Sequence, residues 1–237
     1  MEADKLKLLP FYLVIDVSLS MTGNKLDQAN AIMPKVLDAL MDSPILADKV
    51  RFGVIDFSDD AQVRLPLCDL LDDSVTLPKL TVRGTTSYAA ALRLLRAEIE
   101  SNVKQLKADG FMVHRPAVFF VSDGETTDRE DEWRSALHDL TQGFAAYPNL
   151  IPCGVDEAEP KTLAALIHPA SGNKAMQMYL MTPGYDPGDA IAGIAEILIS
   201  SVISSGQSMA QGDSGLMLPD RAGLPEGISA HDAGDWL

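Results

Sequence analysis

Positive charge is scarce in this sequence. Only 19 Lys and Arg stand against 34 Asp and Glu, a formal net charge of −15. That balance argues against nucleic acid and anionic membrane as partners, because both reward positive surface. It favours cations or basic protein surfaces. Cysteine is nearly absent: Cys68 and Cys153 are isolated, with no Cys-x-x-Cys pair and no His at metal-ligand spacing. Two reduced thiols in a cytoplasmic protein are the expectation. Met1 to Pro10 lacks a signal-peptide pattern, since charges are interspersed and no long apolar region follows. No segment reads as apolar enough to span a bilayer, and no repeat of solenoid length is present. What remains is 237 residues with an ordinary hydrophobic share, 46%. One large domain with a short appendage is the default at that length.

The most informative stretch is Phe11 to Ser20, in which Phe-Tyr-Leu-Val-Ile runs straight into Asp-x-Ser-x-Ser. The apolar run is short and β-rich, so it reads as a strand buried on both faces of a sheet. Such a strand cannot host a carboxylate and two hydroxyls in its middle. Its C-terminal end can, because ligands of open α/β sheets sit there. Asp16, Ser18 and Ser20 offer oxygen donors of the kind a hard divalent cation such as Mg2+ prefers.

Further elements alternate along the chain. Leu26, Ala29, Met33, Val36, Leu37 and Leu40 lie at helical spacing, with Pro34 expected to kink that helix or shift a boundary. Val50 to Phe57 reads as a strand, and Ala61 to Leu65 as an antiparallel edge hairpin closed by Pro66. Arg83-Gly84-Thr85-Thr86-Ser87 opens a helix carrying Tyr88, Leu92, Leu95, Ile99 and Leu106. A Thr or Ser there is by itself an N-cap. Ala117 to Val121 is another buried strand, and it too ends in an acid, in Ser122-Asp123-Gly124. A helix from Asp131, a strand from Leu150 to Val155, a helix from Lys161 to Ile167, a final strand from Ala175 to Leu180 and a last helix from Pro187 to Ser204 complete the series. Alternation of this kind predicts an α/β fold: a doubly wound, mostly parallel six-stranded sheet, helices on both faces, with one antiparallel edge strand. From Gly206 the character changes. Residues 206–237 hold Gly, Pro, Ser, five acids and one Arg without a persistent period. They read as an acidic, flexible C-terminal tail after a domain of residues 1–205. Trp236 and Leu237 at its end suggest a docking peptide, whose acids meet a partner or even the cation site.

Asp-x-Ser-x-Ser on the first strand, Thr at a later helix start and Asp after a later strand together resemble the von Willebrand factor A (VWA) domain. They match its metal-ion-dependent adhesion site (MIDAS), at Asp16, Ser18, Ser20, Thr86 and Asp123. The family's Gly-Gly-Thr stands here as Gly84-Thr85-Thr86, with one glycine replaced. Thr86 is the metal threonine if spacing to Leu92 is kept. Thr85, Gly124 and Glu125 would form the partner-binding rim. The resemblance covers about residues 8 to 204 and implies a Rossmann-like fold. Ser122-Asp123-Gly124-Glu125-Thr126-Thr127-Asp128, with Trp133 following, is similar to the bacterial TerY-type, tellurite-resistance-associated branch. That branch implies stress-response signalling and partners among protein kinases or PP2C-like phosphatases.

In such a site Ser18, Ser20 and Thr86 supply neutral oxygens. Asp16 and Asp123 supply two charges that balance Mg2+ or Mn2+ and leave it able to take one more anion, the Asp or Glu of a partner. These motifs hold no His, Lys or third acid to act as a base, so binding rather than turnover is expected. Two other readings exist. One is a Mg2+-dependent phosphohydrolase with Asp16 as nucleophile, which normally needs a second acid where Ser18 stands. The other is a scaffold that no longer holds metal.

Overall fold

The computed structural model describes residues 6–212 and 215–236. Chain order is β1 (Lys7–Asp16), α1 (Asn24–Met41), α2 (Pro44–Ala47), β2 (Val50–Phe57), β3 (Ala61–Cys68), α3 (Tyr88–Ala108), β4 (Met112–Val113), β5 (Ala117–Ser122), α4 (Glu130–Thr141), β6 (Asn149–Gly154), α5 (Pro160–Leu166), β7 (Met178–Met181), α6 (Pro187–Ala210) and β8 (Ile228–His231). One sheet holds all the described strands, in the order β3-β2-β1-β5-β6-β7-β8, with β4 paired to the start of β1. The strands from β2 to β7 run parallel. The two edges, β3 and β8, run antiparallel. This is the expected Rossmann-like architecture with helices, except that it has eight strands rather than six, and two antiparallel edges rather than one.

β1 explains why the sheet is centred where it is. From Leu8 through Val17 every residue but Pro10 and Asp16 is apolar, and all of them are buried. A strand buried on both faces must lie inside a sheet covered by helices. Its parallel neighbours are β2 on one side and β5 on the other. The chain winds outward from β1 in both directions, so β1 and β5 flank the point where strand order reverses. Phe11 stacks on Phe52 at 5.5 Å. Nearer the C-terminal ends, Phe57, Tyr88 and Phe120 form a triad with ring centroids 5.0 to 6.0 Å apart. Each such buried ring contributes roughly 1.5–3 kcal/mol, and this triad is the floor beneath the acids that end β1 and β5. α1 packs with α2 and α6, and α3 with α4. α1 is continuous through Pro34, which lies on its exposed side, so the expected boundary shift is not found. Both cysteines are free.

Three sequence expectations need correction. β3 does not close at Pro66 but runs to Cys68. Pro66 is exposed on an edge strand and sits in an irregular stretch of the pairing with β2, where its missing N–H costs no ladder bond. α6 is, by length and mean hydropathy, long and apolar enough to cross a membrane, although no such segment was expected. Its apolar character follows from burial: it packs on α1 and α2, and the chain after it covers Gly193.

The third correction is the expected boundary at residue 205 and the flexible tail beyond it. α6 continues to Ala210, with Gly206 and Met209 buried. Ser205 Oγ then accepts the Met217 N–H at 2.9 Å, turning the chain back. A Cβ on Gly193 would stand 3.2 Å from Ile228 and 3.3 Å from Pro225, so the returning segment lies directly on α6. It finishes as β8, pairing Met178 with His231 through Met181 with Ile228. Asp232 caps the next turn and binds Arg221 at 2.7 Å. Asp232 and Asp235 therefore serve local structure, at the sheet end away from the C-termini of the parallel strands. Trp236 packs edge-on against His231 at 5.7 Å. Leu237 and Asp213 lie outside the described residues.

Candidate metal centre

β1 ends at Asp16 and β5 at Ser122, side by side, because Ile15 pairs with Val121. That register delivers Asp16 and Asp123 to one place. Asp16 Oδ1 accepts the Ser18 N–H at 2.8 Å, which turns the chain out of the strand. Its Oδ2 accepts the Ser122 hydroxyl at 2.8 Å. Ser18 Oγ and Ser20 Oγ are 2.9 Å apart, and the Ser20 hydroxyl donates to Asp123 Oδ1 at 2.7 Å. Two carboxylates and two of the predicted hydroxyls thus form one chain of hydrogen bonds. Asp16, Ser18 and Asp123 are buried and Ser20 is exposed, so the cluster opens to solvent on one side.

Thr86 joins through its loop. Arg83 N–H donates to the Val17 carbonyl at 2.7 Å and Leu19 N–H to the Gly84 carbonyl at 3.2 Å. The Thr86 carbonyl accepts the Thr127 N–H and hydroxyl, at 2.7 and 2.8 Å. The threonine is held between the loops after β1 and β5 and is buried, while Thr85 is exposed. Gly84 makes the loop possible: its φ is +54°, and a Cβ there would collide with the Asp59 carboxylate. That same carboxylate accepts the Thr85 N–H at 3.1 Å. Of the expected rim, Thr85 and Glu125 are exposed. Gly124 is partly buried, its carbonyl accepting the Tyr88 hydroxyl at 3.1 Å. Leu19, between the two serines, is 65% exposed and adds an apolar contact to the rim.

Four residues contribute to which the sequence assigned no role: Ser122, Asp128, Lys25 and Asp156. Ser122 orients Asp16. Asp128 accepts Ser87 Oγ and Ala89 N–H, each at 2.7 Å, and so fixes the start of α3 against the β5 loop. Lys25, at the start of α1, places Nζ 2.5 Å from Asp123 Oδ2 and 2.6 Å from Asp156 Oδ2. Ser122 and Asp128 stand in the Ser122–Asp128 stretch that the sequence singled out, whereas Lys25 and Asp156 carried no sequence signal.

The electrostatics follow from burial. Desolvation pushes the Asp16 carboxyl up to about 6. Hydrogen bonds from Ser18 and Ser122 oppose that shift, and the Asp123 charge adds to it. Desolvation lowers the Lys25 ammonium, but its bonds to Asp123 and Asp156 outweigh this and hold it above its ordinary range. Among the described residues no three His, Cys, Asp or Glu side chains converge on a metal-sized space. The cluster is instead two carboxylates with hydroxyls, a donor set suited to a hard cation completed by water.

Residues 11–125 match the von Willebrand factor type A domain family. Over that stretch, just under half of its length, the chain is similar to a von Willebrand factor type A domain. All five predicted ligands lie within the matched residues. No curated protein matches the chain. Solved structures sharing the VWA fold include SpaC, a pilus adhesin of Lactobacillus rhamnosus GG. In its open conformation it has a TM-score of 0.60 at 12% identity, over 83% of this chain and 30% of the adhesin. Proximal thread matrix protein 1 of the mussel byssus aligns at TM-score 0.57 and 16% identity, over 95% of this chain and 49% of its own. The form of that mussel protein with a zinc-occupied MIDAS motif aligns at 0.51 and 14%, over 96% and 48%. This chain spans half the length or less of each of them.

Proposed function

We propose that this VWA-like domain is a non-enzymatic, Mg2+- or Mn2+-dependent protein-binding module. Asp16, Ser18, Ser20, Thr86 and Asp123 would hold the ion as a MIDAS, and an acidic side chain of a partner would complete its coordination. The observation that carries this reading is the bonded chain Asp16–Ser18–Ser20–Asp123 at the open C-terminal ends of β1 and β5. Two carboxylates against a divalent ion leave it electrophilic toward one further anion. Thr85, Gly124 and Glu125, with the exposed Leu19, surround the opening where that anion would arrive.

The Ser122–Asp128 segment supports a TerY-like setting in the bacterial cytoplasm, in stress or tellurite-resistance signalling with kinase or PP2C-like phosphatase partners. The phosphohydrolase alternative lacks the acid two residues after Asp16, where Ser18 stands, although Asp123 and Lys25 lie in the same cluster.

Calorimetric titration with Mg2+ and Mn2+ tests the reading. Asp16→Ala removes a charge and the acceptor that turns the chain toward Ser18, so binding should vanish. An Asp16→Ala variant that titrates like the parent would sink the assignment.

A further inference from the structure

Asp123 has two carboxylate oxygens, and the fold uses them differently. Oδ1 takes the Ser20 hydroxyl, on the side of the proposed metal ligands. Oδ2 is bonded to the ammonium of Lys25, whose side chain is only 13% exposed. A cation therefore already occupies one half of the acid that a divalent ion would require. That ammonium is shared: at 2.6 Å it also meets Asp156, in the turn after β6. Asp156 is, among the described residues, the one non-glycine residue with positive φ, at 55°. The turn is held by Glu157 N–H donating to the Asp123 carbonyl at 3.2 Å and Val155 N–H donating to the Ser122 carbonyl at 3.1 Å. Three separate segments thus converge on one ammonium beside the ligand cluster.

Charge explains what this does. Asp16, Asp123 and Asp156 against Lys25 still attract a divalent ion, but less strongly than bare carboxylates would. Two acids for one ammonium also means that Lys25 keeps a partner if Asp123 is drawn toward a metal.

We propose that Lys25 is a built-in competing cation of the metal centre, satisfying Asp123 without metal and lowering divalent affinity, with Asp156 as the acid that retains its ammonium. This rests on the metal-binding reading above and adds to it a residue that sets the affinity. A purely structural ion pair, tying α1 to the loops after β5 and β6, would make no such difference to metal binding.

The test titrates the parent, Lys25→Met and Lys25→Arg with MgCl2 and MnCl2, and records melting in EDTA. Lys25→Met should melt lower in EDTA yet bind Mg2+ roughly tenfold or more tightly, since a unit charge a few ångströms away is removed. Lys25→Arg keeps the charge and should stay near the parent. Equal or weaker binding by Lys25→Met overturns the proposal. If that variant is too unstable to titrate, Asp156→Asn decides: it leaves Lys25 to Asp123 alone and should weaken Mg2+ binding, and unchanged or tighter binding overturns the idea. The two readings fail separately. A parent that binds metal no more weakly than Lys25→Met leaves the metal centre standing and removes Lys25 from it. A parent that binds none, beside a Lys25→Met variant that binds, removes the native metal function and leaves the competing cation standing. If neither binds, both fall.

Discussion

Asp16 has no exposed surface and two hydrogen-bond donors, a combination that sets how the centre responds to pH. Burial raises its carboxyl from the ordinary 3.8 to about 6, so folding without metal disfavours the charged form relative to the unfolded chain. The sign follows directly. Asp16's contribution to metal-free stability is fully present below about pH 4 and is lost as pH rises through 6. At neutral pH the ionised acid costs about 3 kcal/mol by this linkage. Asp16→Asn keeps an oxygen for the Ser18 N–H and cannot ionise. In EDTA it should be more stable than the parent at pH 7, with the difference closing near pH 4. Urea melts at the two pH values measure this, and a pH-independent difference would assign the shift to another group. With metal the direction reverses, because binding needs the carboxylate. Mg2+ affinity should therefore fall as pH drops below about 6, a trend calorimetry at several pH values can read.

At the scale of elements, the loop before α3 joins backbone conformation to the site. Gly84 needs φ of +54° and leaves the space that Asp59 fills. Gly84→Ala should destabilise the protein by roughly 1–3 kcal/mol and weaken metal binding, because the displaced loop carries Thr86. Unchanged melting and affinity would show that the loop tolerates the substitution. This element was legible in the sequence, as were β1 and β5, since long apolar runs ending in acids carry their own position in the sheet. Lys25 was not. A lysine near a helix start reads as a solvated charge, and its two partners lie 98 and 131 residues away. β8 was hidden for a different reason: its four residues, Ile-Ser-Ala-His, have only Ile228 buried, too short a pattern to show a period. The edge of β7 supplies the pairing that turns those residues into a strand. Pro66 misled by the general rule against proline in sheets, which an irregular edge strand escapes.

At the scale of the molecule, the question is what the last segment contributes. Its composition is acidic and poor in apolar residues, so it could not fold alone. Joined to the domain it covers Gly193 of α6 with Pro225 and Ile228, and it pairs along β7. Removing residues 211–237 would strip the cover from α6 and leave β7 as an open edge beside the buried Tyr179. An open parallel-sheet edge is a template for pairing with another copy. The truncated protein should therefore melt lower and associate, seen by calorimetry and by light scattering. Ile228→Ala isolates the packing part. Ile228 is 8% exposed, and deleting most of such a side chain costs about 2 kcal/mol or more. Its metal affinity should match the parent's, because β8 is separated from β5 by β6 and β7. A truncation that melts like the full chain would return residues 211–237 to the role of an appended tail. A loss of metal binding in Ile228→Ala would mean instead that the far edge of the sheet and the ends of β1 and β5 are coupled through the sheet.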